Sequence, residues 1–225
     1  MVDIRLERTR SKMPTWKKYK EIRARHYVPD HGSQGRQLHY LIYGDAQIVG
    51  IISGGSSTFS VKAVDEFFGL DMAKRFDIWT GEAADKTGFR PDLLGTVINN
   101  TVFRLEYHEH KLASRVLKMW RERITADWEN SYGITNVESM FDTTLMLPGV
   151  MGFETFIVPN EHRTGACYQA DRWKEVGKTA TGKLIFCKRN PEFLKQLRAQ
   201  LKERLEGECL MPWSVVEFLE ELAGA

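Results

Sequence analysis

The chain has 225 residues, 42% hydrophobic and 28% charged, values of an ordinary globular protein that argue against wholesale disorder. No run approaches the ~20 apolar residues of a membrane span, and the charged stretch from Asp3 to Arg25 excludes a signal peptide. Three scattered cysteines (Cys167, Cys187, Cys209) exclude a disulfide framework or a CxxC metal site, so the reading is a soluble, cytoplasmic protein.

With no repeat, low-complexity tract or Gly/Pro/Ser linker, residues 1–225 read as one domain. Residues 1–25 form a basic arm, in which a short helix over 14–25 is opened by Pro14. A loop at 26–32 follows. Gln37–Tyr43 and Gln47–Ile52 are β-favouring runs joined around Gly44-Asp45, the pattern of a hairpin. Gly54-Gly55-Ser56-Ser57 makes a small-residue turn into a helix over Val61–Phe68. Residues 71–92 lack periodicity and read as an insertion, as do 136–150. Thr96–Glu106 is a central strand. Leu112–Tyr132 is the strongest helix, with Leu112, Val116, Met119, Trp120 and Ile124 at three-to-four spacing and Gly133 as its stop. Phe153–Val158, Ala166–Ala170 and Leu184–Cys187 read as strands, and helices near 192–206 and 214–222 occupy the C-terminal stretch 190–225. The class is α+β, with a mainly antiparallel, partly splayed central sheet flanked by helices.

The net charge of +2 conceals a division: nine Lys/Arg against three Asp/Glu in 1–25, seven against two in 162–189, and two against six in 200–225. Basic segments of this kind displace counterions from nucleic acid; a solvated basic surface gives the same count. Lys17, Lys18, Arg36, Arg163, Arg172, Lys174, Lys178 and Lys183, with Trp173 among them, are the candidate DNA contacts.

Three constellations carry chemistry-bearing types. In Arg36-Gln37-Leu38-His39-Tyr40, strand alternation sets His39 opposite Leu38 and Tyr40, as a base, a metal ligand or a structural histidine. Arg104 precedes the turn at 107–111, where His108 and His110 flank Glu109, in a metal site or an exposed polar turn. The helix opening that follows, Leu112-Ala113-Ser114-Arg115, offers unpaired N–H groups to a phosphate or merely begins an ordinary helix. Glu154 stands between aromatics on an apolar strand, where a carboxylate needs a partner, a metal or a catalytic task. Tyr168, Asp171 and Trp173 then lead into the Gly/Lys-rich run 176–183. His39, Glu154 and Tyr168 make an N/O/O set suited to non-haem iron or another first-row metal, if they converge.

Several of these blocks occur in order over residues 26–183: Gly35–Tyr40, Val49–Gly54, Asn99–Leu105, Leu112–Ser114, Asp127–Glu129, Gly152–Phe156, Tyr168–Trp173 and Val176–Thr179. Their succession resembles the Mom family of phage DNA-modification proteins. Asp127–Glu129, Gly152–Phe156 and Tyr168–Trp173 with Val176–Thr179 also resemble the Druantia DruA anti-phage proteins. The Mom likeness implies a fold related to the acyl-CoA-dependent N-acetyltransferases (GNAT-like) and conversion of adenine N6 in duplex DNA to a carbamoylmethyl derivative that shields phage DNA from restriction. It implies bound iron, with His39, Glu154 and Tyr168 near it, and Arg104, Ser114, Tyr40 and Asp171 as further catalytic candidates. The DNA partner would present a flipped adenine, stacked on Trp173 or Tyr40, with His39 or Glu154 as the base. The turn Tyr107–Lys111 lacks the glycine-rich pyrophosphate signature of acetyltransferases. The donor therefore stays open between acetyl-CoA and another carrier-borne acyl or glycyl group, aminoacyl-tRNA included. Two other roles compete: a DruA-like nucleic-acid-binding defence component, and a plain acyl-CoA N-acyltransferase. The oligomeric state is open, a homodimer included.

Overall fold

The structure is a computed structural model. It describes residues 2–28, 35–58, 61–68, 97–132, 136–138, 144–146 and 149–193, with 195, 196 and 199. Seven strands form one sheet in the order β1-β2-β3-β4-β7-β9-β8. In chain order these are β1 (Ile4–Thr9), β2 (Gln37–Gly44), β3 (Gln47–Ser56), β4 (Val97–Leu105), β7 (Gly152–Ile157), β8 (Lys174–Lys178) and β9 (Leu184–Arg189). Every pairing is antiparallel except β4 with β7. Helices α1 (Trp16–Arg23), α2 (Lys62–Phe68), α3 (Leu112–Tyr132) and α4 (Ala166–Ala170) flank the sheet. The mainly antiparallel α+β class expected from the sequence is the one observed.

Strand alternation divides the core into two layers. Leu38, Tyr40 and Ile42 of β2 pack with Val116, Trp120, Ile124 and Trp128 of α3. Leu41 points the other way, to Tyr19 and Ile22 of α1. Each fully buried aliphatic side chain here stabilises the fold by roughly 1.5–3 kcal/mol relative to exposure. The helix lies so close to β3 that a Cβ on Gly54 would stand 2.2 Å from Ile124 Cδ1 and 3.1 Å from Trp120. Gly54 therefore belongs to the end of β3 rather than to a turn, and its missing side chain is what admits α3. Tyr132 Oη fastens the far end of the helix, accepting from Gln37 N (2.9 Å) and donating to Gln37 O (2.8 Å).

Three expectations are corrected, and part of a fourth stretch is given a structure. The basic N-terminal segment contains β1, an edge strand paired with β2 from Ile4↔Gly44 to Thr9↔His39. Its charges are those of a protected edge. Ala166–Ala170 is a helical turn, not a strand, because Gly165 takes the left-handed region (φ 81°) at its N-cap, with Phe186 filling the space a Cβ would need. The Gly/Lys-rich run after Trp173 holds the edge strand β8, bulged between Glu175 and Gly177. Within the 136–150 insertion, Asn136–Glu138 (β5) and Thr144–Met146 (β6) pair as a small antiparallel ladder. Insertion 71–92 and the expected helix 214–222 lie outside the described residues, as does most of 192–206.

The β2–β3 hairpin turns through Asp45 (φ 47°) and Ala46 (φ 68°), with Gly44 opposite Gln47. A two-residue loop with both φ positive is a type I′ turn, which favours glycine at the second place. Ala46→Gly is therefore expected to stabilise the protein by about 0.5–1 kcal/mol, read as a shift of the urea midpoint at constant slope.

Candidate functional site: a cleft in the parted sheet

The parallel pairing of β4 with β7 lasts three residues, Val97↔Gly152 to Asn99↔Glu154. Beyond it the strands part. At the apex, side chains take over from the ladder: Thr155 Oγ1 donates to Asn100 O (3.0 Å) and Tyr168 Oη donates to Asn100 Oδ1 (2.7 Å). Asn100 Nδ2 in turn donates to Ser53 O (2.9 Å), which fixes which way the amide faces. A cavity of about 500 Å³ opens between the strands. Its walls are Thr101–Leu105 of β4 (Val102 excepted) and Thr155–Ile157 of β7, and it reaches His108 and Ala113 at the first turn of α3. On the β7 side it is closed by His162–Tyr168. Both walls are strand segments already paired on their outer edges, to β3 and to β9. Their facing edges can take an extended, amide-bearing chain in the manner of an added strand.

A short strap crosses the open end. Arg25 pairs with Glu106 just past β4 (3.0 Å), and its carbonyl accepts from Arg104 Nη1 (2.6 Å). Val28 N donates to His26 Nδ1 (3.2 Å), and Arg23 Nη1 donates to Val28 O (2.6 Å). Tyr27 reaches the β7 side, where the Arg163 guanidinium lies 4.1 Å from its ring centroid. His26, Tyr27 and Val28 thus line the cavity together with Arg104 and Arg163.

The lining includes two arginines and three histidines (His26, His108, His162) and no carboxylate. Arg104 is already paired with Glu106 (2.5 Å), which leaves Arg163 as the arginine of the lining without a carboxylate partner among the described residues, a lining that can receive an anionic group. Burial and the nearby Arg23 lower the His26 pKa to about 4, so the ring is neutral at pH 7. The unfolded chain then binds the extra proton between about pH 6.5 and 4, and stability falls as pH drops through that window. Thermal melts from pH 7 to 4.5 should show a steeper loss for the native chain than for His26→Gln; parallel curves would refute this. Burial keeps the Tyr168 phenol protonated, its pKa well above the ordinary value. Burial also pushes the Cys167 thiol up to about 11, so it is no thiolate nucleophile at neutral pH.

Of the residues singled out in the sequence, Arg104, His108, Ala113, Arg163 and Tyr168 line the cleft. The others are placed elsewhere. Tyr40 is fully buried against α3 and donates to Asp127 Oδ2 (3.0 Å), and Trp173 is 4% exposed, so neither can stack on a base without leaving the core. Asp171 accepts two bonds from Arg121 (2.9 and 2.8 Å) and one from Trp173 Nε1 (2.8 Å), a structural clamp rather than a catalytic carboxylate. His39 faces α1, its Nδ1 3.0 Å from Ser53 Oγ and its ring against Trp16 and Tyr19. Glu154 is fully buried and accepts from Thr58 N (2.6 Å). Neither His39 nor Glu154 lines the cleft, which removes both as a base there. Leu112 is core, Ser114 Oγ donates to Lys111 O (3.1 Å), and Arg115 Nη2 donates to Val2 O (3.0 Å).

Iron is not supported. Each of the three expected ligands has a protein partner, His39 with Ser53, Glu154 with Thr58 and Tyr168 with Asn100, and among the described residues no group of three or more His, Cys, Asp or Glu is placed to hold a metal. His108 and His110 form no such group either. Lys17 and Lys18 are exposed on α1, while Arg172, Lys174 and Lys178 are exposed and Lys183 half-buried around β8. The strands β7 and β9 stand between β4 and β8, so the two basic groups occupy separate parts of the surface. Arg36 lies over the Tyr132 ring at 5.5 Å. The sequence reading missed Asn100, Thr155, Tyr27 and His162; adjacent asparagines within an apolar strand were the signal available for the first. Among the described residues no helix is long and apolar enough to cross a membrane.

Fold and site together define an α+β protein with a cavity in the parting of its own sheet. The chain belongs to the family of the Druantia protein DruA, whose model matches residues 1–199. That was the more distant of the two likenesses read from the sequence; membership of the Mom family is not shown. No curated protein matches the chain. Among solved structures it is similar to the Campylobacter jejuni N-acetyltransferase PseH, at 8% identity over 83% of this chain and 98% of that one, with a TM-score of 0.41. It is also similar to FeeM, an N-acyl amino acid synthase from uncultured soil microbes, at 10% identity over 87% and 94%, TM-score 0.47. A third is the aminoglycoside acetyltransferase AAC(6')-Ib in complex with coenzyme A, at 14% identity over 87% and 99%, TM-score 0.45.

Proposed function

We propose that this DruA-family chain is an acyl-group transferase of a cytoplasmic anti-phage assembly, with a nucleic-acid amine, adenine N6 in DNA, as the acceptor. The observation that carries the reading is the carboxylate-free cleft between β4 and β7, which runs from the first turn of α3 to a buried, protonated phenol. A carrier such as acetyl-CoA has the matching parts: an anionic head for the helix end beside His108 and Ala113, and an amide-bearing arm for the parted strand edges. When bound, it supplies an activated carbonyl on which the amine forms an N–C bond as the carrier's C–S bond breaks. As the bond forms the amine gives up a proton to solvent, while Tyr168, which lines the cavity, supplies one to the departing thiolate and is reprotonated from solvent. Asn100 holds that phenol at the apex, Thr155 bonds to the Asn100 carbonyl, and the strap residues His26 and Tyr27 line the same cleft.

Isothermal titration with coenzyme A and acetyl-CoA tests the donor. The native chain should bind both, and Ala113→Phe, which obstructs the helix end, should bind neither. Mass spectrometry of nucleosides from plasmid DNA of expressing cells tests the acceptor. An acyl transfer leaves an amide on N6, whereas the carbamoylmethyl product implied by the Mom likeness contains an N–CH₂ bond; fragmentation separates the two. Unmodified nucleosides from folded protein would favour a second reading, a nucleic-acid-binding defence component. The exposed Lys17 and Lys18 of α1, with Lys174 and Lys178 of β8, support that alternative.

A further inference from the structure

Among the described residues, Tyr168, the phenol assigned to the departing thiolate, meets three aromatic rings. Phe186 stacks on it at 5.9 Å and Trp173 meets it edge-on at 5.1 Å. Both are core residues, 0% and 4% exposed, and neither lines the cleft. Phe103 is the third, with ring centroids 6.5 Å apart and planes at 83° to each other. It is half-buried and lines the cleft, so it is the one ring of the three that the phenol and the cavity share. Its position is fixed from behind. Phe103 lies within β4, registered against Ile52 of β3, and its side chain packs on the core layer that α3 covers. An edge-on pair at this separation leaves no room for a further atom between the rings. The phenol is equally fixed, because its Oη is bonded to Asn100 Oδ1 (2.7 Å). The wall beside the transferable proton is therefore a rigid hydrocarbon edge.

We propose that Phe103 limits the length of the acyl group the cleft accepts, so that the donor is a short-chain acyl thioester. The inference deepens the donor side of the proposed function and rests on it. In a thioester the acyl carbon and the leaving sulfur are bonded to each other. A sulfur within reach of the Tyr168 proton therefore brings its acyl chain to the same wall. A two-carbon acyl group ends there. A longer chain runs into the Phe103 ring, and moving that ring disturbs the packing of β4 against the core beneath it. Phe103 touches no reacting atom in this scheme: it acts on which donor fits, and the phenol acts on the bond that breaks.

The test is isothermal titration of the full chain with coenzyme A, acetyl-CoA and hexanoyl-CoA. The native chain should bind the first two alike and hexanoyl-CoA about tenfold or more weakly than acetyl-CoA. Phe103→Ala removes the ring and should bring hexanoyl-CoA to the affinity of acetyl-CoA or beyond it, with coenzyme A unchanged. Phe103→Leu keeps an apolar side chain on the core and should move the ratio in the same direction by less, which preserves the test if the alanine variant does not fold. Phe156 lines the same cleft but, among the described residues, has no ring contact with Tyr168, so Phe156→Ala should keep the native ratio. Hexanoyl-CoA binding as tightly as acetyl-CoA in the native chain overturns the proposal. So does a ratio that neither Phe103 variant moves, or one that Phe156→Ala moves as far. Coenzyme A binding with an unmoved ratio removes the proposal alone, whereas a native chain that binds no coenzyme A removes the transferase reading and the proposal with it.

Discussion

Tyr168→Phe is expected to lose transfer activity by about 10²–10⁴-fold while keeping the fold and the affinity for coenzyme A. The substitution removes one oxygen. The ring stays where it is, edge-on to Trp173 at 5.1 Å and stacked on Phe186 at 5.9 Å. Asn100 Oδ1 then loses its donor in a buried setting, which costs about 1–3 kcal/mol of stability. A loss of that size leaves a folded protein at 25 °C and cannot by itself produce the fall in rate. Single-turnover transfer rates beside thermal melts separate the two effects. An unchanged rate would show that the phenol supplies no proton to the leaving group and serves only to pin the apex. In the native protein, the proposed transfer should show no alkaline limb near pH 10 from this residue, because burial holds its pKa well above that of a free tyrosine.

Asp171→Ala should be the most damaging of the substitutions outside the cleft. The carboxylate is 8% exposed and Arg121 14%, and the pair is joined by two hydrogen bonds. Removing one side of a buried pair leaves the other charged and unmatched, at a cost of about 3–5 kcal/mol. Trp173 Nε1 loses its acceptor in the same step. For a chain of this size the melting temperature should fall by about 10 °C. Asp171→Asn retains an acceptor oxygen and should lose less. Because the clamp joins α3 to the segment entering β8, coenzyme A binding by the surviving folded fraction should be unaltered. A melting temperature within a degree or two of the native value would show that the ion pair is of no consequence to the fold.

The sequence made the frame legible where periodicity was long. Helix Leu112–Tyr132 has the bounds expected of it, and the hairpin and β4 lie within a few residues of theirs. Short elements defeated the pattern for identifiable reasons. Ala166–Ala170 is a single apolar turn, too brief for period 2 and period 3.6 to differ, and the backbone of Gly165 decided it. At the sheet edges, β1 and β8 carry charges, so a strand looks like a solvated arm or hinge. The candidate site was legible in part. Tyr168, Arg104, Ala113 and Arg163, singled out in the sequence as catalytic, cofactor or DNA contacts, line the one cleft, whereas His39 and Glu154 do not. Alternation assigns a side chain to one face of a sheet but is silent about which helix covers that face. The cavity itself depends on a three-residue pairing between strands more than forty positions apart, and nothing local encodes where that pairing stops.

That short seam also bears on how the protein unfolds. It separates a four-strand block contiguous in the sheet, β1 to β4, from a three-strand block, β7 to β9. Among the described residues the contacts that join the blocks include three register pairs, the apex side chains Thr155 and Tyr168, the Thr58 N to Glu154 bond, the Arg163 contact with Tyr27 and the shared helix α3. Two such blocks are candidates for separate cooperative units, opening at different free energies in native-state hydrogen exchange. A molecule lying in the cleft touches both and acts as a missing strand, so its binding energy becomes coupling energy between them. Saturation should slow amide exchange across β9, which lies beyond the cavity wall, as well as at the wall itself. The sheet is complete only when it is occupied.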